Sequence, residues 1–396
     1  MSAAGSVTRE PSRKRKDGTT VTPKTWMVVL DVSQGGERRQ LRRRGFATEK
    51  EAKAVLVALA AEFQAGRRPS SSKETVTAYL ERWLVARQAG VKPSTWASYR
   101  QIVDAYVKPG IGSVQLRKLD GLTLTGFYGE LLASGATGAR SSNGRGRPLA
   151  AKTVRNVAGM LHKAFKDAVR WGVLSSNPAD SAELPRRSAP EMKAWTVEHV
   201  GVFLAAAESH PQWIVWRLLL MTGARRGEVL GLDWPDVDLT HGRITIRQTW
   251  SMAGNTPMLG SPKTAAGLRV IAVDAGTVAA LKRWKTEQGR YRLAMGEGWP
   301  TTNAVTTEQD GQRIHPQVLT RRFHALCRDL AVPAIRLHDL RHTVASVALS
   351  HGEDVTVLSR RLGHADVGVT LKLYRHVMPG EDQATADRLA SLFGGS

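Results

Sequence analysis

Proline-rich punctuation between Asn177-Pro178 and Pro185-Arg186-Arg187-Ser188-Ala189-Pro190 constrains this chain most, because no regular element runs through it. It separates two stretches with different periodicity. Upstream, from about residue 73 to 180, apolar residues recur at helical spacing: Val76, Tyr79, Leu80, Trp83 and Leu84, then Val154, Val157, Leu161, Ala164 and Ala168. Pro93-Ser94-Thr95 opens a further helix carrying Trp96, Tyr99, Ile102 and Val103, and the Gly/Ser/Arg-rich run Ser134 to Pro148 reads as a loop. Downstream, helical runs alternate with short strand patterns, Arg243 to Arg247 after the turn signal His241-Gly242 and Leu268 to Val273. A third part lies before residue 70. It holds a strand pattern over Thr25 to Val32, a Gly35-Gly36 turn, a return through Arg38 to Phe46, and a helix capped by Thr48. A chain of 396 residues is too long for one ordinary core. The breaks predict a multidomain α+β protein. Residues 1–70 form a small sheet plus helix (with 1–18 a disordered basic tail), 73–180 a helical domain, 181–194 a linker, and 195–396 a mainly helical domain with a small antiparallel sheet. No long-period repeat points to a solenoid.

Charge narrows the partner. The chain carries 57 Lys and Arg against 35 Asp and Glu, a net charge of +22. A polyanion is the expected partner, and nucleic acid ranks ahead of a membrane surface because no basic amphipathic helix or lipidation signal stands out. The longest apolar stretch, near Ala54 to Phe63, falls short of the roughly 20 residues a membrane helix needs. The N-terminus runs Met1-Ser2-Ala3-Ala4-Gly5 into charge, so no secretory signal is expected. Cys327 is the only cysteine, which excludes an intramolecular disulfide and a cysteine-cluster metal site, and fits a reducing cytoplasm. Up to residue 70 there are 15 Lys and Arg against 7 Asp and Glu, including Arg42-Arg43-Arg44 on the returning strand. Those three, with Arg100 and Arg155 in the helical part, are the candidate DNA contacts. The plain alternative is a solvated charged face, and for the N-terminal part a featureless basic tail.

Four motifs after the linker concentrate the chemistry. Thr222-Gly223-Ala224-Arg225-Arg226-Gly227-Glu228-Val229 follows the apolar helix Trp213 to Met221. Pro262-Lys263-Thr264 sits in the turn before the second strand pattern. His338-Asp339-Leu340-Arg341-His342 places His338 and Arg341 on one helical face. Leu362-Gly363-His364 precedes Tyr374 by ten residues, counted from the histidine. Singly each has an ordinary explanation: Tyr374 as helix packing, Arg225-Arg226 as a surface pair, Lys263 as a turn lysine, His338 and His342 as half a zinc site lacking further ligands. Together they suit phosphoryl transfer without a metal. Charge developing on phosphate oxygens needs fixed cationic donors, and guanidinium groups grip two oxygens at once. The leaving 5′ oxygen needs a proton donor, which a lysine on a mobile turn can be, and a tyrosine hydroxyl forms an adduct that conserves the phosphodiester energy.

In this order and spacing the motifs resemble the tyrosine recombinase family, also called phage integrases. Its pattern runs T-G-x-R-x-[GS]-E-[LV], a turn lysine, H-x-L-R-H, L-G-H and a tyrosine nine or ten residues on. The resemblance implies that Arg225 and Arg341 clamp the phosphate, Lys263 is the general acid, and His338 and His364 assist. It makes Tyr374 the nucleophile, with Glu228 supporting the site. Lys282 and Lys285 lie downstream of the variable lysine turn. It further implies a four-helix core-binding domain over 73–180, an arm-binding domain at the N-terminus, and two DNA-contacting domains closing as a clamp. A homotetramer on double-stranded attachment sites, a covalent 3′-phosphotyrosine, and neither metal nor nucleotide cofactor are expected. A host DNA-bending factor or an excision factor is a candidate accessory partner, in the cytoplasm of a bacterial host and at its nucleoid. The segment with Leu389, Leu392 and Phe393 resembles a tail that docks on a neighbouring subunit, or else packs on its own chain. Two alternatives share parts of this pattern: a type IB topoisomerase using the same residues, and a non-catalytic architectural DNA-binding protein.

Overall fold

The computed structural model describes residues 5–14, 20–31, 40–64, 73–135, 148–186, 193–262, 265–374, 386 and 389–393. The chain divides into two compact units, Met1–Ser188 and Ala189–Ser396.

The first unit begins with β1 (Gly5–Arg9), β2 (Arg13–Lys14), β3 (Thr20–Val21), β4 (Trp26–Asp31), β5 (Gln40–Phe46) and α1 (Glu49–Gln64). β4 is the centre of an antiparallel sheet in the order β1-β4-β5, and β2 pairs with β3 separately. Strand alternation sorts the side chains. Val28 and Leu30 are fully buried in a small core with Ala52 and Leu59 of α1, flanked by partly buried Trp26 and Phe46. Register sets Arg43 opposite Val28, and Arg42 and Arg44 opposite Val29 and Met27 on the other face. Thr48 caps α1 as expected, its hydroxyl accepting from the Glu51 amide at 3.2 Å.

Within the 1–18 segment that the sequence suggests is a disordered tail, the described residues differ from that expectation, because Gly5–Arg9 is β1, antiparallel to β4, while 1–4 and 15–18 lie outside the described residues. Val7 is its single large apolar residue, so the segment carries no alternation to read. Its place comes from tertiary contacts. The Arg9 guanidinium lies 4.9 Å from the Trp26 ring centre. Glu10, 5% exposed, accepts from the Gly45 amide at 2.7 Å and the Thr25 hydroxyl at 3.0 Å. Gly45 marks a bulge between Trp26 and Met27, and its φ of +93° suits glycine alone.

The rest of the first unit contains α2 (Val76–Arg87), α3 (Pro93–Ile102), α4 (Lys108–Ile111), α5 (Gly121–Ala133) and α6 (Ala151–Arg170). α3 continues through a π-helical turn, Val103–Val107, into α4, which leaves four helical rods. The apolar positions expected in the core are there: Val76, Tyr79, Leu80, Trp83 and Leu84 are fully buried, as are Val154, Val157, Leu161, Ala164 and Ala168. Fully burying each large side chain contributes roughly 1.5–3 kcal/mol. The polar tips are satisfied, Tyr79 donating to the Ala164 carbonyl at 2.6 Å and Trp83 to Asp167 at 2.9 Å. These aromatics therefore serve packing, not base stacking. The expected loop 134–148 falls mostly outside the described residues.

The second unit holds α7 (Val197–Ala207), α8 (Trp213–Thr222), α9 (Arg226–Leu230), β6 (Val237–Asp238), β7 (Arg243–Ile246), β8 (Thr249–Ala253), β9 (Thr256–Gly260) and β10 (Arg269–Ala272). It continues with α10 (Ala275–Met295), α11 (Pro316–Arg328), α12 (Asp339–Ser350), α13 (Val355–Leu362) and α14 (Val367–Tyr374). An antiparallel sheet runs β10-β7-β6, and β8 and β9 form a hairpin to which the sequence reading assigns no element. α8 is buried almost all round, and Trp216 joins Trp195, Phe203 and Phe323 in an aromatic cluster with ring centres 5.1–6.1 Å apart. A second small core under α12, α13 and α14 contains Ala345, Leu349, Leu358, Leu362 and Tyr374. Leu389, Leu392 and Phe393 are all exposed.

Removing the Glu10 carboxylate strands two donors that it now satisfies. Glu10→Ala is expected to destabilise the N-terminal sheet by about 1–3 kcal/mol, read as faster amide hydrogen exchange at Gly45 and along β4. Unchanged exchange there would show that β1 does not anchor the sheet.

Candidate active site

Two glycine-capped helix ends build the site. α8 ends at Gly223 with φ +63°, and a Cβ there would lie 2.8 Å from Leu362 and 3.2 Å from Val344. α13 ends at Gly363 with φ +70°, where a Cβ would lie 2.8 Å from the Arg269 guanidinium and 2.9 Å from the Ala266 carbonyl. Only glycine fits either place. Each cap turns carbonyl groups inward, and Arg341 spans them. Its Nη1 donates to the Gly223 carbonyl at 2.9 Å and its Nη2 to the Leu362 carbonyl at 2.6 Å.

Arg225 follows the first cap and begins α9. Its amide donates to Glu228 Oε2 at 2.9 Å, its Nη1 to Glu228 Oε1 at 2.8 Å, and its Nη2 reaches the Gly363 carbonyl at 3.4 Å. Both guanidinium groups therefore meet the same turn between α13 and α14. Arg225 is the accessible one, its side chain 42% exposed. Glu228 is buried and also accepts from Arg269 Nη2 at 2.8 Å. Burial alone would raise the Glu228 pKa, but Arg269 and then Arg225 outweigh it and hold the carboxyl below its ordinary value. Arg269 is a site residue that sequence reasoning missed. It sits on a strand between motifs, and only the fold brings it behind Glu228, with its Nε on the Arg361 carbonyl at 2.7 Å.

The histidines surround these cations. His338 is at the start of α12, exposed at its outer edge but crowded by protein. Burial, then His342, Arg341 and Arg225, push its pKa down to about 4. His364 Nδ1 pairs with the Thr370 hydroxyl at 2.7 Å, and burial with Arg341 and Arg225 brings it to about 4 as well. Tyr374, 1% exposed, ends α14, and its hydroxyl lies 2.5 Å from His342 Nδ1. Burial raises the phenol to about 12 against the opposing pull of Arg341. Burial also lowers Arg341 to about 9, which leaves it charged at neutral pH. His342 is the second residue missed as a site member. The signal was its adjacency to Arg341, but the partner could come only from the packing of α14 on α12.

Arg225, Glu228, His338, Arg341, His364 and Tyr374 thus converge. Lys263 lies outside the described residues; among its downstream alternatives, Lys282 is exposed on α10 and Lys285 lies 5.1 Å from the Trp234 ring centre. Of the candidate DNA contacts, Arg42 and Arg44 are exposed on β5, while Arg43 is half-buried on the α1 side. Arg100 is partly exposed and donates to Glu81 at 2.6 Å and 2.8 Å, a carboxylate it shares with Lys108. Arg155 donates to the Pro185 carbonyl at 2.6 Å and has no acidic partner at that bond. No metal-ligand cluster occurs among the described residues, and no described helix is long and apolar enough to cross a membrane.

Comparison with known proteins agrees with this arrangement. The chain matches the model of the phage integrase family over residues 196–381, an arm DNA-binding domain over 12–63, and a phage integrase N-terminal SAM-like domain over 75–132. It is 26% identical to the ICEBs1 integrase of Bacillus subtilis, across 92% of this chain and 96% of that one. In fold it resembles the Tn1549 transposon integrase solved with transposon right end DNA, with a TM-score of 0.66 and 20% identity over 80% of this chain and all of that one. It also resembles the lambda integrase tetramer on a Holliday junction, with a TM-score of 0.54 and 15% identity over 90% of this chain and 95% of that one. Three family matches in the same order as the three sequence segments, the last enclosing the whole arginine, histidine and tyrosine cluster, establish that the chain belongs to the phage integrase family of tyrosine-type site-specific recombinases.

Proposed function

We propose that Tyr374 is the nucleophile that cuts and rejoins DNA, and that Arg225 and Arg341 stabilise the charge developing on the attacked phosphate. The observation that carries this reading is the meeting of both guanidinium groups on one turn, with the Tyr374 hydroxyl at the end of the helix that follows it. Arg341 presents rigid donors because two carbonyl groups already fix its plane, and a donor fixed in advance needs no reorganisation as charge appears. Glu228 holds Arg225 in place through its amide and its guanidinium. His338 and His364, neutral at pH 7 by their lowered pKa values, donate or accept hydrogen bonds at the phosphate without adding charge. Lys263 serves as the acid for the 5′ oxygen. Arg269 braces Glu228 from behind.

The segments take corresponding roles. Residues 1–70 form the arm-site domain and present the β5 face with Arg42 and Arg44 to DNA. Residues 73–180 bind the core site, 181–194 link the two, and 195–396 perform the chemistry. The substrates are double-stranded attachment sites, bound by a homotetramer as the lambda integrase is on its junction, with a host DNA-bending or excision factor as accessory. The exposed Leu389, Leu392 and Phe393 support docking of the tail on a neighbouring subunit over packing on its own chain. A bacterial nucleoid is the setting. An arm DNA-binding match ahead of the catalytic domain weighs against the topoisomerase alternative, and the full set of arginines, histidines and tyrosine weighs against the architectural one.

On a nicked duplex from the end of the mobile element, Tyr374→Phe is expected to bind like wild type and form no covalent adduct. At saturating DNA, Arg225→Ala is expected to cleave on the order of 100–1000-fold more slowly. Persistence of the adduct in Tyr374→Phe would overturn the assignment. For the arm domain, Arg44→Ala is expected to lower the salt dependence of arm-site binding by about one unit of slope, leaving core-site footprints unchanged. An unchanged slope would place the DNA on another face.

A further inference from the structure

We infer that His342 is the catalytic base that receives the proton of the Tyr374 hydroxyl as that oxygen attacks phosphorus. This rests on the reading of Tyr374 as nucleophile, and it adds a residue that the motif pattern leaves without a role. The Tyr374 oxygen lies 2.5 Å from His342 Nδ1, with the ring centres 5.8 Å apart and the planes tilted by 51°. In the tautomer with its proton on Nε2, the imidazole accepts from the phenol through Nδ1, which is what general-base geometry requires.

The surroundings keep His342 able to accept. Burial lowers its pKa, Asp339 opposes that, and Arg336 and Arg341 reinforce it, so the imidazole is neutral at pH 7. The other titratable groups facing it are His338, whose ring centre is 5.4 Å away, and His364 across the site. Both are pushed down to about 4 and stay neutral with it. Tyr374, raised to about 12, does not ionise by itself. The proton therefore moves during bond formation, when bonding to phosphorus makes the phenol strongly acidic.

The step balances. The phenolic oxygen bonds to phosphorus while its proton passes to His342 Nδ1. The bond from phosphorus to the 5′ oxygen breaks, and that oxygen takes a proton from the general acid assigned to Lys263. In rejoining, the 5′ hydroxyl attacks the phosphotyrosine and gives its proton back to Lys263, the bond from phosphorus to the Tyr374 oxygen breaks, and His342, now protonated, returns its proton to that departing oxygen. One residue thus serves both directions.

The test is single-turnover cleavage of the same nicked duplex by the full chain. His342→Ala is expected to bind DNA as wild type does and to cleave about 100- to 10,000-fold more slowly, with added imidazole restoring part of the rate. His342→Asn offers an acceptor oxygen that holds the phenol without taking its proton. It is expected to be as slow as the alanine variant, and it decides the matter if the alanine variant does not fold. Cleavage by either variant within about threefold of wild type, or failure of imidazole to rescue both, would overturn the inference. Tyr374→Phe runs alongside. An adduct in that variant would sink the nucleophile assignment itself, whereas a silent Tyr374→Phe with fast His342 variants would sink only the role of His342.

Discussion

A guanidinium ion sealed inside protein is expensive unless its protons find acceptors, and Arg341 is only 4% exposed. The acceptors it finds are the Gly223 and Leu362 carbonyls. Those oxygens are free because each belongs to a helix that has just ended, and both helices end in the left-handed conformation that glycine adopts most easily. The positive charge therefore ties α8, α12 and α13 together at one point. Three groups of the proposed reaction hang from that point: Arg225 two residues beyond the first cap, His364 immediately after the second, and Tyr374 at the end of the next helix.

The concentration of cations has a second effect. Burial comes first, and Arg341 and Arg225 add to it at both His338 and His364, with Arg269 acting on His364 alone, so these rings are uncharged at neutral pH. Arg225, Arg269 and Arg341 outnumber the Glu228 carboxylate that they surround, and Asp339 is taken up by Arg336, so the described part of the site is short of negative charge. An anionic phosphate supplies it. The same design explains why Glu228 stays ionised although buried, since Arg269 and Arg225 on either side make its charge favourable. The field thus selects a phosphodiester, while position on the chain decides which atom reacts with it.

Much of this was legible in the residues. The buried apolar stripes of α2 and α6 follow helical spacing, and the linker after Asn177 falls where the first compact unit ends. The motif glycines and arginines have physical reasons for their spacing, because Arg341 must reach across to both caps. What escaped notice depends on distant partners. β1 has one apolar residue and is held by Glu10 and by Arg9 over Trp26. The hairpin Thr249–Gly260 lies between better-marked strands. Arg269 and His342 gain meaning only when β10 and α14 arrive beside them.

The central claim is that Arg341 holds the catalytic unit together as well as serving its chemistry, while Arg225, far more exposed, does not. Thermal unfolding of the catalytic unit in Arg341→Lys, measured beside Arg225→Lys, tests this most directly. A lysine keeps the charge but cannot span both carbonyl groups. The account predicts that Arg341→Lys loses about 1–3 kcal/mol, the cost of leaving a buried carbonyl without its donor, and that Arg225→Lys unfolds close to wild type. Equal unfolding temperatures for the two variants would contradict it.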